Sequence, residues 1–195
     1  MIKLSKKNKP EEYFFVKNNL SETNKIIICV FCLLLELVLR STINQFMITI
    51  VLIGVFYRFA SIVLDPVYGF IIAFLTTKFS PLTSDSNLLF EIIAGISGWS
   101  VGFLYKYLDR FSWPQKKCIK LGASIFVSIF FSNYLNSTML LFFECILFDC
   151  SILGKLFLLY IMFLGLFFVL FEIVINVVIL FPMLNIYDKI ADKNK

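Results

Sequence analysis

Residues 47–79 read MITIVLIGVFYRFASIVLDPVYGFIIAFLTTKF, two apolar runs separated by Asp65 and Pro66. Neither run alternates between apolar and polar residues, which favours helices over the strands of a membrane barrel. Proline disfavours a helical conformation at the residue before it, so the Asp-Pro pair predicts the end of one helix and the start of another. Arg58 lies one to two turns before this break, and we expect its side chain to snorkel towards the membrane interface.

The whole chain is apolar to a degree that soluble domains do not reach. It has 195 residues, of which 59% are hydrophobic and 16% are charged. A soluble domain is about half apolar and about a quarter charged, so lipid is the expected solvent for the excess. The sequence therefore predicts an all-α integral protein of the cell membrane, with several crossings. Its polar, lysine-rich beginning is unlike a signal peptide.

The apolar runs predict a bundle of six transmembrane helices. They cover about 26–39, 47–64, 67–79, 88–108, 119–148 and 152–184. The chain is thereby divided into a basic N-terminal segment (1–25), a six-helix membrane domain (26–187) and a charged tail (188–195). Lys and Arg are concentrated on the side that carries both termini, which predicts that this side is cytoplasmic. A four-span alternative would merge the second and third spans, against the break at the Asp-Pro pair.

Small residues recur every four positions in three of the predicted helices. Such stripes allow helix backbones to approach closely in lipid, and they predict tight packing within the bundle. A second interpretation is that a stripe also contacts another subunit. The candidate partner-contact residues are Gly69, Ala73, Ala94, Gly98 and Gly102. A further stripe on the fifth span consists of Ser124, Ser128 and Ser132.

Polar residues at membrane depth are the candidate functional residues, because each is costly to bury in lipid. Glu172 is the deepest, and Glu36 and Arg40, four positions apart, can pair on one helix face. The others fall in the outer halves of spans or in the first outer connection: Asn44, Gln45, Glu91, Asn133, Asn136 and Glu144. Either neighbouring helices satisfy each residue separately, or the set lines one outward-facing pocket.

The chain lacks the residues that most catalytic and metal-binding sites require. There is no histidine, so Ser-His and Cys-His pairs and imidazole metal ligands are excluded, and there is no GxxxxGK phosphate loop. Cys29 and Cys32 form a CxxC within an apolar helix and are interpreted as inert. The net charge is +5, and the basic residues lie beside apolar runs, not on a nucleic-acid-binding face. We expect no enzyme, cofactor or metal site; the alternative is a membrane enzyme that uses Glu91, Glu144 and Glu172.

Three stretches resemble the substrate-binding S component of energy-coupling factor vitamin transporters, with the folate-type subgroup the most similar. Residues 65–69 (DPVYG) resemble the Gly-Pro-x-Trp-Gly junction between helices two and three of that family. Residues 90–105 (FEIIAGISGWSVGFLY) are similar to its fourth helix, with a small-residue run and a closing Gly-x-x-Tyr. Residues 133–138 (NYLNST) resemble the Asn-x-x-x-Thr element of its fifth helix.

The resemblance implies a division of labour between subunits. This chain would capture a water-soluble vitamin, folate or a related compound, at the outer face. A transmembrane coupling subunit and two cytoplasmic ATPases would supply the energy, so ATP hydrolysis is not expected here. The substrate-binding residues are expected to be Arg40, Asn44, Gln45, Trp99, Asn133, Asn136 and Thr138. The alternative is a membrane scaffold or accessory subunit that binds no small molecule.

Overall fold

The computed structural model of the chain describes residues 20–42, 52–79, 88–108, 117–130 and 152–193, with side chains in the last range from 169 to 191. Within these ranges the protein is helical and contains no strand, so the all-α prediction is confirmed for them. The helices, in chain order, are α1 (Glu22–Ser41), α2 (Val55–Val63), α3 (Pro66–Lys78), α4 (Leu88–Leu108), α5 (117–130, as far as it is described) and α6 (Ile152–Lys193).

Local capping explains where α1 and α3 begin. The Ser21 hydroxyl accepts the Asn24 N–H at 3.3 Å at the start of α1. The Asp65 carboxylate accepts the Val67 N–H at 3.1 Å, and Pro66 takes the first position of α3, where its missing N–H costs no hydrogen bond. The Asp-Pro break predicted from the sequence is therefore confirmed.

Other boundaries differ from the predicted spans. The second span was predicted as one helix over 47–64, but Ile53 and Gly54 form a turn and α2 begins only at Val55. This prediction is wrong in that respect. The last helix continues to Lys193, so most of the predicted charged tail is helical. Residues 131–148 of the fifth predicted span lie outside the described residues.

The small-residue stripes of α3 and α4 pack against each other within this chain. A Cβ on Gly98 would overlap the Gly69 carbonyl group and lie 3.0 Å from the Ala73 Cβ. A Cβ on Gly102 would overlap the carbonyl oxygen and hydroxyl of Ser61 on α2. The Gly102 N–H donates to that hydroxyl at 3.0 Å. Glycine is therefore required here for the close approach of three helices.

Large apolar side chains cover much of the surface of the described residues, and several polar side chains are buried beside the apolar core. One face of α1 exposes large apolar side chains, among them Ile27 at 60% and Phe31 at 61%, whereas its buried face carries Glu36 at 0%. The corresponding outer face of α6 exposes Phe171, Val174 and Val178. Polar residues buried on the inner faces include Arg58, Ser61, Thr76, Glu91, Ser97, Ser124, Ser128 and Asn176.

Among the residues that the structure describes, two helical segments are long and apolar enough to cross a membrane, judged by length and composition. They are Leu88–Leu108 and Val169–Ala191. Side chains from both segments take part in polar contacts between helices. The Ser97 and Ser128 hydroxyls, on α4 and α5, lie 2.8 Å apart.

Contacts between charged residues and between aromatic residues hold several helix ends together at one end of the helix bundle. Lys106 near the end of α4 lies 3.6 Å from Asp65 at the start of α3. Lys117 at the start of α5 pairs with Asp188 near the end of α6. The Phe59 ring of α2 packs edge-on against Tyr187 at 6.3 Å. The end of α6 therefore lies at the same end as the α2–α3 junction.

Candidate functional site

The candidate site is a cluster of buried and partly buried charged and amide side chains where α1, α2 and α6 meet. We call it the charged junction, and it consists of Glu36, Arg40, Arg58, Glu172 and Asn176. Two of its members were expected to pair: Arg40 Nε lies 3.7 Å from Glu36 Oε1, one helical turn along α1. That prediction is confirmed.

Glu36 connects α1 to the first turn of α2. Its Oε1 accepts the N–H of Gly54 at 2.6 Å, and its side chain is fully buried. The first N–H groups of an α-helix have no partner within the helix and carry a partial positive charge. Because Gly54, the residue that precedes α2, has no side chain with which to cap it, the carboxylate from α1 takes that role.

The turn before α2 depends on glycine. Gly54 has a φ of 95°, in the left-handed region that side chains disfavour. A Cβ at this position would also lie 2.7 Å from the Tyr57 hydroxyl oxygen and 2.9 Å from Arg58 Cζ. Conformation and space together explain why the helix predicted over 47–64 is interrupted here.

Arg58 joins α2 to α6. Its two terminal nitrogens donate to Glu172 Oε1 at 2.9 Å and to Asn176 Oδ1 at 2.7 Å, and its Cζ lies 5.2 Å from the centre of the Tyr57 ring. The residue is 3% exposed. The expectation that Arg58 snorkels to an interface is therefore wrong: an acid and an amide inside the assembly satisfy it, so it does not need to reach water.

The backbone of α6 orients the Asn176 amide that accepts from Arg58. The amide nitrogen of Asn176 donates to the backbone carbonyl of Glu172, four residues earlier, at 2.8 Å. The sequence analysis identified Glu172 but not Asn176. Glu172 and Asn176 are four positions apart in the apolar run of α6, and this spacing indicates that both lie on the same helix face.

The junction is electrically balanced but not fully hydrogen-bonded. Glu36 and Glu172 offset Arg40 and Arg58 when all four are ionised. Among the described residues, three buried atoms of the junction have no hydrogen-bond partner: Glu36 Oε2, Arg40 Nε and Arg58 Nε. Buried polar atoms are nearly always bonded in folded proteins, so one acceptor and two donors here are available to a polar ligand or to water.

Only part of the predicted substrate-binding set can be located. Arg40 belongs to the charged junction. Trp99 is half-buried on α4, where its ring stacks on Phe103 at 4.6 Å. The remaining predicted residues, Asn44, Gln45, Asn133, Asn136 and Thr138, lie outside the described residues, as does Glu144.

The predicted partner-contact residues can all be located. Gly69, Ala73, Gly98 and Gly102 are buried in helix contacts of this chain, and Ala94 on α4 is half-buried. Their role at another subunit stays a prediction. Glu91 is also buried, on α4.

Comparisons with known proteins give this chain no relative. A scan against protein-family models, a search of curated proteins and a search of solved structures each found no match.

Proposed function

We propose that this chain is a multi-pass protein of the cell membrane that captures a vitamin at the outer face, as the S component of an energy-coupling factor transporter of the folate type. The proposal includes six crossing segments and cytoplasmic termini. The observation that carries it is the charged junction, enclosed by helices with apolar outer faces. Ionisable residues in such surroundings characteristically mark ligand or ion pathways in membrane proteins.

Membrane insertion is supported by the exposed apolar side chains and the buried charged groups. On α1, Val30, Phe31 and Leu34 are exposed while Glu36 is buried. In water this arrangement would leave apolar area solvated and would bury charge, and both are unfavourable. In lipid the exposed apolar side chains meet acyl chains, and pairing between the buried charged groups reduces the cost of burying them.

The depth of the interrupted helix supports a binding role. Gly54 precedes Leu64 by ten residues, which at 1.5 Å per residue is about 15 Å, or half of a hydrocarbon core of about 30 Å. Discontinuous helices near the membrane midplane form the substrate sites of many transporters, where a half-helix N-terminus faces an anionic group. Here the start of α2 is such a terminus, and its anionic group is the Glu36 carboxylate.

The arrangement of helix ends supports the proposed topology. The end of α6 and the α2–α3 junction lie at one end of the assembly, together with Lys106 and Lys117. The lysine-rich N-terminal segment leads into α1. With an even number of crossings, basic residues and both chain ends share one side, which the positive-inside rule assigns to the cytoplasm.

Energy would come from other subunits in this proposal. The sequence has no GxxxxGK loop, so ATP hydrolysis is assigned to two cytoplasmic ATPases that act through a transmembrane coupling subunit. In this proposal the chain itself binds the solute and presents it to the coupling subunit. This assignment follows from the family resemblance of residues 65–69, 90–105 and 133–138.

Vitamin binding is testable through Arg40. We expect folate or a related pterin to raise the thermal unfolding temperature of the purified protein, and we expect R40Q to weaken the binding about tenfold to a hundredfold. The reason is that a charge-assisted hydrogen bond to a ligand carboxylate contributes about 1.5–3 kcal/mol. Thermal shift across a panel of water-soluble vitamins, followed by titration calorimetry of the hit, measures both effects.

The matched control is K25Q, the same loss of charge at the other end of α1. Lys25 pairs with the exposed Glu22 at 2.6 Å, away from the charged junction. We expect K25Q to bind the vitamin as the wild type does. If no vitamin of the panel stabilises the wild-type protein, the binding function is wrong and the scaffold alternative is favoured.

A further inference from the structure

The start of α2 is arranged as an anion site, and the chain itself supplies the anion. Helix N-termini attract anions because their free N–H groups and the helix dipole both favour negative charge. Glu36 occupies this position through its hydrogen bond of 2.6 Å from the Gly54 N–H. The carboxylate comes from another helix, so its place can be vacated without unwinding α2.

Two guanidinium groups add positive charge around the same point. Arg58 Cζ lies 2.9 Å from the position that a Cβ on Gly54 would take, so this guanidinium reaches back over the start of α2. Its side chain is 4% exposed, and among the described residues its Nε has no hydrogen-bond partner. Arg40 approaches from α1, with its Nε 3.7 Å from Glu36 Oε1.

One of the two carboxylate oxygens of Glu36 has no hydrogen-bond partner within the described residues. One hydrogen bond fixes Oε1, whereas Oε2 has no partner among the described residues. The distance of 3.7 Å to Arg40 Nε is beyond a hydrogen bond. A carboxylate that accepts the Gly54 N–H with one oxygen has a second oxygen for a guanidinium Nε that has no hydrogen-bond partner among the described residues.

We propose that the start of α2, with Arg40 and Arg58, is a binding site for a carboxylate, which Glu36 occupies until a carboxylate-bearing solute replaces it. The replacement by a solute rests on the proposed solute-binding function, whereas the site itself rests on the geometry alone. When the Glu36 carboxylate is removed by substitution, the junction keeps two guanidinium groups and the Glu172 carboxylate, a net charge of +1 when all three are ionised, and this charge favours a monoanion. A carboxylate neutralises this charge, and a phosphate dianion exceeds it.

The test is to remove the resident carboxylate and to supply an external one. The variant E36A vacates the position next to the Gly54 N–H, and we expect a lower unfolding temperature than in the wild type. Sodium formate is expected to raise it again, in a saturable manner, by about 3–6 °C at roughly ten times the dissociation constant. Formamide, which is neutral and of similar size, is expected to have no such effect.

Three controls separate a specific site from a general salt effect. In the wild type, Glu36 fills the position, so formate is expected to have little effect. In E36Q the amide fills the same space, and formate is again expected to fail. In E91A a buried carboxylate is removed from α4 instead, and formate is not expected to restore stability.

The inference is overturned if formate stabilises E36A no more than E91A, or if formamide acts equally well. Should E36A fail to accumulate, the readout is the yield of monodisperse protein extracted in formate or in formamide, and equal yields overturn the inference. Formate rescue without any vitamin binding would retain the anion site and reject the vitamin assignment. Vitamin binding without formate rescue would retain the vitamin assignment and reject the anion site.

Discussion

Replacing Arg58 by methionine is expected to lower the free energy of unfolding by about 3 kcal/mol, because removal of one partner of a buried ion pair leaves the other charge uncompensated. Arg58 is 3% exposed and donates to both Glu172 and Asn176. Methionine keeps a long apolar stem but offers no donor to either oxygen. Reversible unfolding in mixed detergent micelles measures the loss.

A double-mutant cycle isolates the pair from other effects of the substitution. R58M combined with E172Q is expected to cost less than the sum of the two single variants, with a coupling of about 2 kcal/mol. The matched control is K106M, which breaks the longer, partly exposed pair with Asp65 at 3.6 Å and is expected to cost about 1 kcal/mol or less. Equal losses in R58M and K106M would contradict the description of Arg58 as the centre of a buried network.

Replacing Gly102 by alanine is expected to be the most damaging single-methyl change in the described helices, at about 3 kcal/mol. The added Cβ would overlap the Ser61 carbonyl oxygen and hydroxyl. Because the obstacle includes backbone, α2 and α4 must separate, which strains the core and lengthens the 3.0 Å hydrogen bond from the Gly102 N–H. Thermal unfolding of purified G102A, compared with the wild type, measures the loss.

Gly122 provides the control for this substitution. A Cβ there would lie 3.7 Å from Val177 Cγ2, an ordinary contact. Alanine is favoured over glycine in a helix by about 1 kcal/mol, so G122A is expected to be neutral or stabilising. A G102A protein as stable as G122A would show that α2 and α4 do not pack as closely as described.

The sequence predicted those parts of the fold that depend on local chemistry. The spacing of Glu36 and Arg40 predicted their pairing, because residues four apart lie on the same face of a helix. Asp65 and Pro66 predicted the junction of α2 and α3, because a cap and a proline act within a few residues. The length of the apolar run predicted α4 at 88–108, the range that the structure shows.

The remaining features depend on contacts between distant residues. Arg58 and Glu172 are 114 positions apart, and the sequence alone does not indicate that they meet. The turn at Gly54 lies in an apolar run that has the same composition as a continuous helix, and the carboxylate that accepts the Gly54 N–H lies 18 positions earlier. Similarly, the small residues of α3 and α4 would look the same whether they packed within the chain or against a partner.

The most direct test of the central claim is to identify what the protein carries. Wild-type protein is purified from membranes, its small molecules are released by denaturation, and they are quantified by mass spectrometry beside R40Q prepared in the same way. We predict a carboxylate-bearing vitamin, folate or a related compound, near one molecule per chain in the wild type and strongly depleted in R40Q. A wild-type protein that carries no such compound, and that takes none up when it is supplied, would contradict the account.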